Sequence, residues 1–273
     1  MLHFIARFPK ARNKVLLMNT RAGMLIGRWN VPGLSGITFY LSALLLKLKR
    51  YSIVGMKPVD LPSNWLSVHP GLNARTVNFL HVKNKDRVEK CAEKVLAGKT
   101  DFGALREIIQ DLIIAPISLG YYFMGRFMFA KSYYASMDCT NCDICVKNCP
   151  VKAIVKIDNR PFWTFNCESC MKCMSNCPAK AIETAHGFLI GYLLFSSSVS
   201  TICLTYLNTV FNGFGSGFTG LIMEMLLFLL FLGIFYRVIH YLMRFRWIER
   251  LMVYSSLTKY KFWGRRYKAL KEI

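Results

Sequence analysis

Residues 139–150 read CTNCDICVKNCP, and residues 167–178 read CESCMKCMSNCP. Each is a C-x-x-C-x-x-C-x-x-x-C-P run, offset from the other by 28 residues and followed by an echo, Val151-Lys152-Ala153-Ile154 against Ala179-Lys180-Ala181-Ile182. Three thiolates at such spacing wrap one face of a four-iron cubane. The fourth cysteine, turned away by its proline, reaches the neighbouring cluster. The expected ligand sets are Cys139, Cys142, Cys145 and Cys177 for one [4Fe-4S] cluster, and Cys167, Cys170, Cys173 and Cys149 for the other. Ile154 and Ile182 are expected to shield sulfur from water, a lever on reduction potential.

Two other uses of eight cysteines fit less well. Structural zinc takes four ligands per tetrahedral site, usually as paired C-x-x-C knuckles without a third cysteine two residues on. Disulfides belong to oxidising compartments, and no secretory signal is recognisable here. The repeat therefore points to a bacterial-type two-[4Fe-4S] ferredoxin domain. Cys91 and Cys203 have no partner at ligand spacing and read as ordinary small side chains.

Composition places this centre beside a membrane. The 273 residues are 53% hydrophobic, yet carry a net charge of +21. Gly187–Leu207 is free of charge, and Phe218–Tyr236 is interrupted only by Glu224. About 20 apolar residues cross the hydrocarbon core as a helix, so both runs are expected to span it, joined by the Gly-rich hairpin NTVFNGFGSGFTG. Glu224 reads as an interfacial carboxylate about one turn from the hairpin end. From Arg237 onward ten Lys or Arg face two acids, and the segment before Gly187 is also basic. That asymmetry predicts an inner-membrane protein with the ferredoxin domain and both termini cytoplasmic. The basic residues flank membrane runs and form no reading helix, so lipid is the expected partner and nucleic acid is not.

Ile113–Phe129 is also apolar, but Pro116, Gly120, Gly125 and Arg126 argue against a span. A helix beneath the cluster domain or along the interface is expected there, since a third crossing would place the clusters and the basic tail on opposite sides.

Earlier residues alternate strand and helix. Val15–Met18 reads as a strand ending in the loop Asn19-Thr20-Arg21-Ala22-Gly23. A helix follows near Gly36–Arg50, a strand at Tyr51–Met56, and a helix capped near Asn84-Lys85-Asp86 and closed by Gly98. The order KVLLMNTRAG, helix, YSIVGMKPVDLPSNW, basic helix and two cysteine runs resembles the EFR family of flavodoxin–ferredoxin fusion proteins over roughly residues 1–186. The resemblance implies a flavodoxin-like domain exchanging electrons between flavin mononucleotide (FMN) and the clusters, with NTRAG in the loop after the fourth strand. The family's first strand and phosphate loop have no counterpart here, so this chain is not expected to hold FMN by itself. The Val15–Met18 edge is left open, and a separate chain supplying the missing half is one expected partner.

The expected fold class is α+β. It comprises a partial flavodoxin-like segment (1–100), a connecting or interfacial helix (101–131), a two-[4Fe-4S] ferredoxin domain (132–186), two transmembrane helices (187–236) and a basic cytoplasmic tail (237–273). No residue reads as a general base or nucleophile, so the catalytic set is empty. The expected function is a low-potential, single-electron carrier between unidentified redox proteins. The alternatives are a flavin-linked iron–sulfur oxidoreductase, which needs a complete flavodoxin-like domain, and an assembly or binding subunit of a membrane redox complex.

Overall fold

The computed structural model describes residues 2–26, 29–63, 65–210 and 217–265. They form two compact units, Met1–Ser63 with Leu72–Gly120, and Asn64–Gly71 with Tyr121–Ile273.

The first unit begins with α1 (Leu2–Ala6), β1 (Lys14–Ile26), β2 (Trp29–Val31), α2 (Thr38–Leu48), β3 (Ser52–Pro62) and α3 (Ala74–Leu96). β1 and β3 pair in parallel from Lys14↔Ser52 to Gly23↔Pro62. β2 adds an antiparallel edge, but only against Met24–Ile26. Between Lys14 and Gly23, β1 therefore has no strand on its second edge among the described residues. A small core of Phe39, Met56 and Ala104 with Leu17 packs the helices on the sheet.

Three expectations change here. NTRAG is not a loop: it lies inside β1, because Arg21 is drawn into the unit by Asp60 of β3 (Nε–Oδ1 2.5 Å) and by Glu107. Asp60 is 1% exposed, and Gly33 N–H (3.0 Å) and Arg87 (3.0 Å) complete its shell. The Tyr51–Met56 strand extends to Pro62 for the same reason. The capped helix starts at Ala74, not near Asn84, with Asn73 accepting from Thr76 N–H at 2.8 Å. Asn84 is buried in mid-helix, where it receives the Asp60 N–H and donates to Leu80 O. The polar run at Asn84 resembles a cap along the chain, but its partner, the Asp60 backbone, lies on β3. Gly98, at φ +75°, does close the helix.

The unit ends in a 3₁₀ turn (Gly103–Glu107) and α4 (Ile108–Gly120). Helical structure continues in the second unit as a π-turn (Tyr121–Gly125) and α5 (Arg126–Ala130). This departs from the sequence expectation. Pro116 removes one N–H without ending the helix, and Arg126 is held over the Tyr122 and Phe127 rings at 4.8 and 4.5 Å. Much of Gly103–Ala130 is unburied, but its last turns meet the cluster domain, where Phe127 packs on Phe165 (5.9 Å) and Arg126 O accepts from Ser169 Oγ at 3.2 Å.

The second unit then runs β4 (Tyr133–Ala135), α6 (Ile144–Lys147), β5 (Ile154–Ile157), β6 (Arg160–Trp163), α7 (Lys172–Ser175), β7 (Ile182–Thr184), α8 (His186–Val210), α9 (Gly217–Leu242) and α10 (Arg246–Tyr254). β4 pairs with β7 and β5 with β6, both antiparallel. Three helical stretches, Gly103–Ala130, His186–Cys203 and Gly217–Leu242, are long and apolar enough to cross a membrane. α8 and α9 pack through Tyr192 on Phe228 (5.1 Å) and Phe195 on Phe235 (4.9 Å). Of the expected hairpin, residues 208–220, the first three close α8 and the last four open α9, while 211–216 lie outside the described residues. Glu224 is exposed about two turns into α9, not one.

The expected basic tail is not a free extension. Tyr134, Ala185, Met243, Ile248 and Met252 share one buried cluster. Tyr134 Oη meets Ser256 Oγ at 2.7 Å, Thr258 Oγ1 accepts from Thr184 N–H at 3.0 Å, and Glu249 accepts from Met137 N–H at 3.0 Å. Residues 246–258 thus lie against β4, β7 and the start of the first cysteine run. Whether residues 103–130 cross a membrane has no bearing on this, since only α8 and α9 separate the clusters from the tail in the chain. A third crossing would separate the clusters from the N-terminal residues and not from the tail.

Candidate metal centre

The two cysteine runs fold as copies of one another because the chain is forced through the same uncommon conformations at the same offset. Asn141 and Ser169 (φ +54° and +51°), Asp143 and Met171 (+60° and +55°), and Lys152 and Lys180 (+50° and +52°) form three left-handed pairs, none of them glycine. Non-glycine residues pay a steric penalty there, and such strain collects at functional sites. Each run winds back on itself twice, turns once through a short helix, α6 or α7, and leaves through Cys-Pro.

Backbone bonds repeat in the same register. Cys139 N–H reaches Ser136 O and Cys167 N–H reaches Thr164 O, at 3.1 and 3.2 Å. Ser136 N–H donates to Ala181 O and Thr164 N–H to Ala153 O, at 2.9 and 2.8 Å. Each half is thereby stitched to the strand that follows the other half's fourth cysteine. Each fourth cysteine is thereby carried back toward the other half.

The thiols gather accordingly. Cys139, Cys142, Cys145 and Cys177 line one cavity, with Pro161, Pro178 and Ile182 around it. Cys145 is pushed up to about 11 by burial, with Cys139, Cys177 and Cys142 as negative neighbours. Cys167 is likewise raised to about 11 by burial, beside Cys170 and Cys149. Cys173 is raised to about 12 by burial, with Cys167 and Cys170 adjacent. The first four thus share one cavity across the two runs, while Cys167 has Cys170 and Cys149 as electrostatic neighbours and Cys173 has Cys167, Cys170 and Cys145. All ten cysteines are free thiols.

The donor set fits an iron–sulfur cluster better than one ion. Among the described residues, no three His, Cys, Asp or Glu side chains converge to hold a single metal ion, whereas four thiols ring a cavity. Amide hydrogens already face sulfur: Ala153 and Ala181 N–H approach Cys149 and Cys177 Sγ at 3.3 and 3.4 Å, and Ser169 N–H approaches Cys167 Sγ at 3.4 Å. The Trp163 indole N–H is fully buried, has no closer hydrogen-bond partner, and sits beside the Cys173 sulfur. Donors of this kind stabilise negative sulfur and tune its potential. Burial disfavours eight bare thiolates, and iron cations supply the missing charge.

Apolar cover comes from Tyr133, Ile154, Trp163, Met171, Met174, Ala181 and Ile182, all buried, with Leu66 closing one side. Ile154 and Ile182 thus stand where the sequence places them. Trp163 and the left-handed residues are not legible from spacing alone, since a lone tryptophan reads as core. Lys131 is a further surprise. It is 3% exposed, donates to Trp163 O at 2.6 Å, and lies over the rings of Phe165, Tyr236 and Phe162 at 4.2, 4.7 and 4.8 Å. Burial pulls its pKa down to about 8.

No curated protein and no solved structure matches the chain. A family model described as a 4Fe-4S dicluster domain matches residues 138–182, the stretch that holds both cysteine runs, and the chain carries a ferredoxin-type 4Fe-4S domain there.

Proposed function

We propose that this chain is a membrane-anchored, low-potential electron carrier that holds two [4Fe-4S] clusters and passes single electrons between redox proteins. The observation that carries the reading is the crossed gathering of Cys139, Cys142, Cys145 with Cys177, and of Cys167, Cys170, Cys173 with Cys149. When bound, each cluster supplies a one-electron couple, within a family range of about −700 to +450 mV. The protein's own part is to hold it, dry it and tune it. Eight thiolates grip the iron, the Ile154 and Ile182 faces exclude water, and the amide and indole hydrogens offset charge on sulfur. Cys142 and Cys170 are the exposed ligands, so these two sides are the natural docking points for a donor and an acceptor.

Anchoring is assigned to α8 and α9, with the cluster domain, the tail and the N-terminal unit cytoplasmic in a bacterial inner membrane. Glu107 and Asp111 are partly buried and buried in the first unit, which leaves Leu112–Phe129 as the apolar stretch open to lipid along much of its length. At 1.5 Å per residue it spans about 27 Å, enough to lie in the interface and short for crossing. A strongly basic N-terminal unit also favours the cytoplasmic side. A separate chain pairing along the open edge of β1 stands as a proposed partner, supported by the absence of a strand against Lys14–Gly23 among the described residues.

The test is anaerobic electron paramagnetic resonance on iron-reconstituted protein. Two S = 1/2 centres appearing with dithionite and vanishing on reoxidation support a carrier. Centres that cannot be reduced overturn it and favour a structural role.

A further inference from the structure

A groove of about 580 Å³ opens where the β6 end of the cluster domain meets α9. One wall is apolar and outward-facing, with Leu230 58% and Ile234 49% exposed. The opposite wall is aromatic, and its floor is kept open by Gly233, where a Cβ would press on the Phe165 ring at 3.3 Å. Arg237 sits exposed at the rim, and Lys131, only 3% exposed, lines the inner end.

Neither cation has an acidic partner among the described residues. Lys131 uses one of its three ammonium donors on Trp163 O, and ring faces surround the rest. Lys131 has the Cys167 sulfur as its one charged neighbour, and aromatic faces offset part of the cost of burying it. Arg237 is exposed, with its guanidinium 5.5 Å from the Phe162 ring centre. The site therefore combines a doubly basic head region with a greasy channel on a helix apolar enough to cross a bilayer.

We propose that this groove holds one anionic phospholipid, its phosphate against Lys131 and Arg237 and an acyl chain along Leu230 and Ile234. Free phosphate would leave the apolar wall uncovered, and a neutral lipid would leave the exposed Arg237 unanswered. Basic pockets beside membrane helices select anionic headgroups on these grounds. The inference rests on the assignment of α9 to the membrane, and not on the redox behaviour of the clusters.

The experiment is native mass spectrometry of the full, cluster-loaded chain released from nanodiscs of equal dioleoylphosphatidylglycerol and dioleoylphosphatidylcholine. The expected result is a single phosphatidylglycerol adduct, retained about tenfold over phosphatidylcholine. Arg237→Gln and Gly233→Leu should bring the two lipids to parity, while Arg244→Gln, an exposed cation outside the groove, should change nothing. Arg237 is exposed, so its variant keeps the test sound if Gly233→Leu misfolds, and cluster absorbance checks both. Parity in the unaltered protein, or undiminished preference in Arg237→Gln, would overturn the proposal. So would retention of a neutral isoprenoid quinone that excess phosphatidylglycerol fails to displace. Paramagnetic resonance on the same samples separates this failure from failure of the carrier reading, since intact reducible clusters without lipid selectivity sink only the lipid site.

Discussion

Cys139→Ser and Cys177→Ser stand in different runs, yet both should damage one centre, while Cys149→Ser and Cys167→Ser damage the other. Power-saturation spectra of the reduced variants check this, and loss of different centres from the first pair would refute the crossed ligation. Trp163→Phe should leave both clusters assembled but shift one of them to lower potential, because an N–H facing the Cys173 sulfur is removed. Redox titration followed by paramagnetic resonance reads each centre separately. The ligands were legible because their chemistry demands fixed spacing along the chain. Trp163 was not, since its role depends on where the other half of the repeat places its sulfur. Nor could spacing show that Asn141, Asp143, Met171 and Lys180 turn left-handed, as glycine is the residue that normally announces that conformation.

Elements were read well where one element decides its own fate, and poorly where a partner decides it. β1 outruns its expected length because Arg21 answers Asp60, and α3 begins early because Asn84 answers the β3 backbone. Asp60→Asn should destabilise the first unit by about 3–5 kcal/mol, since Arg21 is left buried and underpaired. Urea unfolding followed by circular dichroism measures it, and a change below about 1 kcal/mol would contradict the pairing. Burial alone would raise the Asp60 pKa, but the Arg21 and Gly33 hydrogen bonds and the charges of Arg21 and Arg87 outweigh it, so the net shift is downward. A depressed carboxylate stabilises the fold above its unfolded pKa of about 4, and that stability is lost as pH falls through the lower folded value. The wild-type advantage over Asp60→Asn should therefore be full at neutral pH and shrink only in strong acid. The tail teaches the same lesson. Its charge suggested a solvated extension, whereas Glu249, Ser256 and Thr258 close polar groups of the cluster domain. Truncation after His186 should thus give a domain that loses clusters and aggregates, not a clean soluble fragment. A soluble truncated protein with full iron content would show these contacts to be dispensable.

At the level of the whole molecule, the apolar runs were evident from composition, while the fate of the 103–130 stretch turned on a helix that tolerates Pro116. Green fluorescent protein fused at either end should fluoresce in a bacterial host if both termini are cytoplasmic. A dark, exported N-terminal fusion beside a bright C-terminal one would show that 103–130 crosses as a third span. None of this topology matters to function unless the cysteine cages carry inorganic sulfide. Anaerobic purification with iron and acid-labile sulfide analysis tests that most directly. The account predicts about eight of each per chain, brown colour, and two dithionite-reducible centres. A colourless protein with two zinc ions and no sulfide would contradict it.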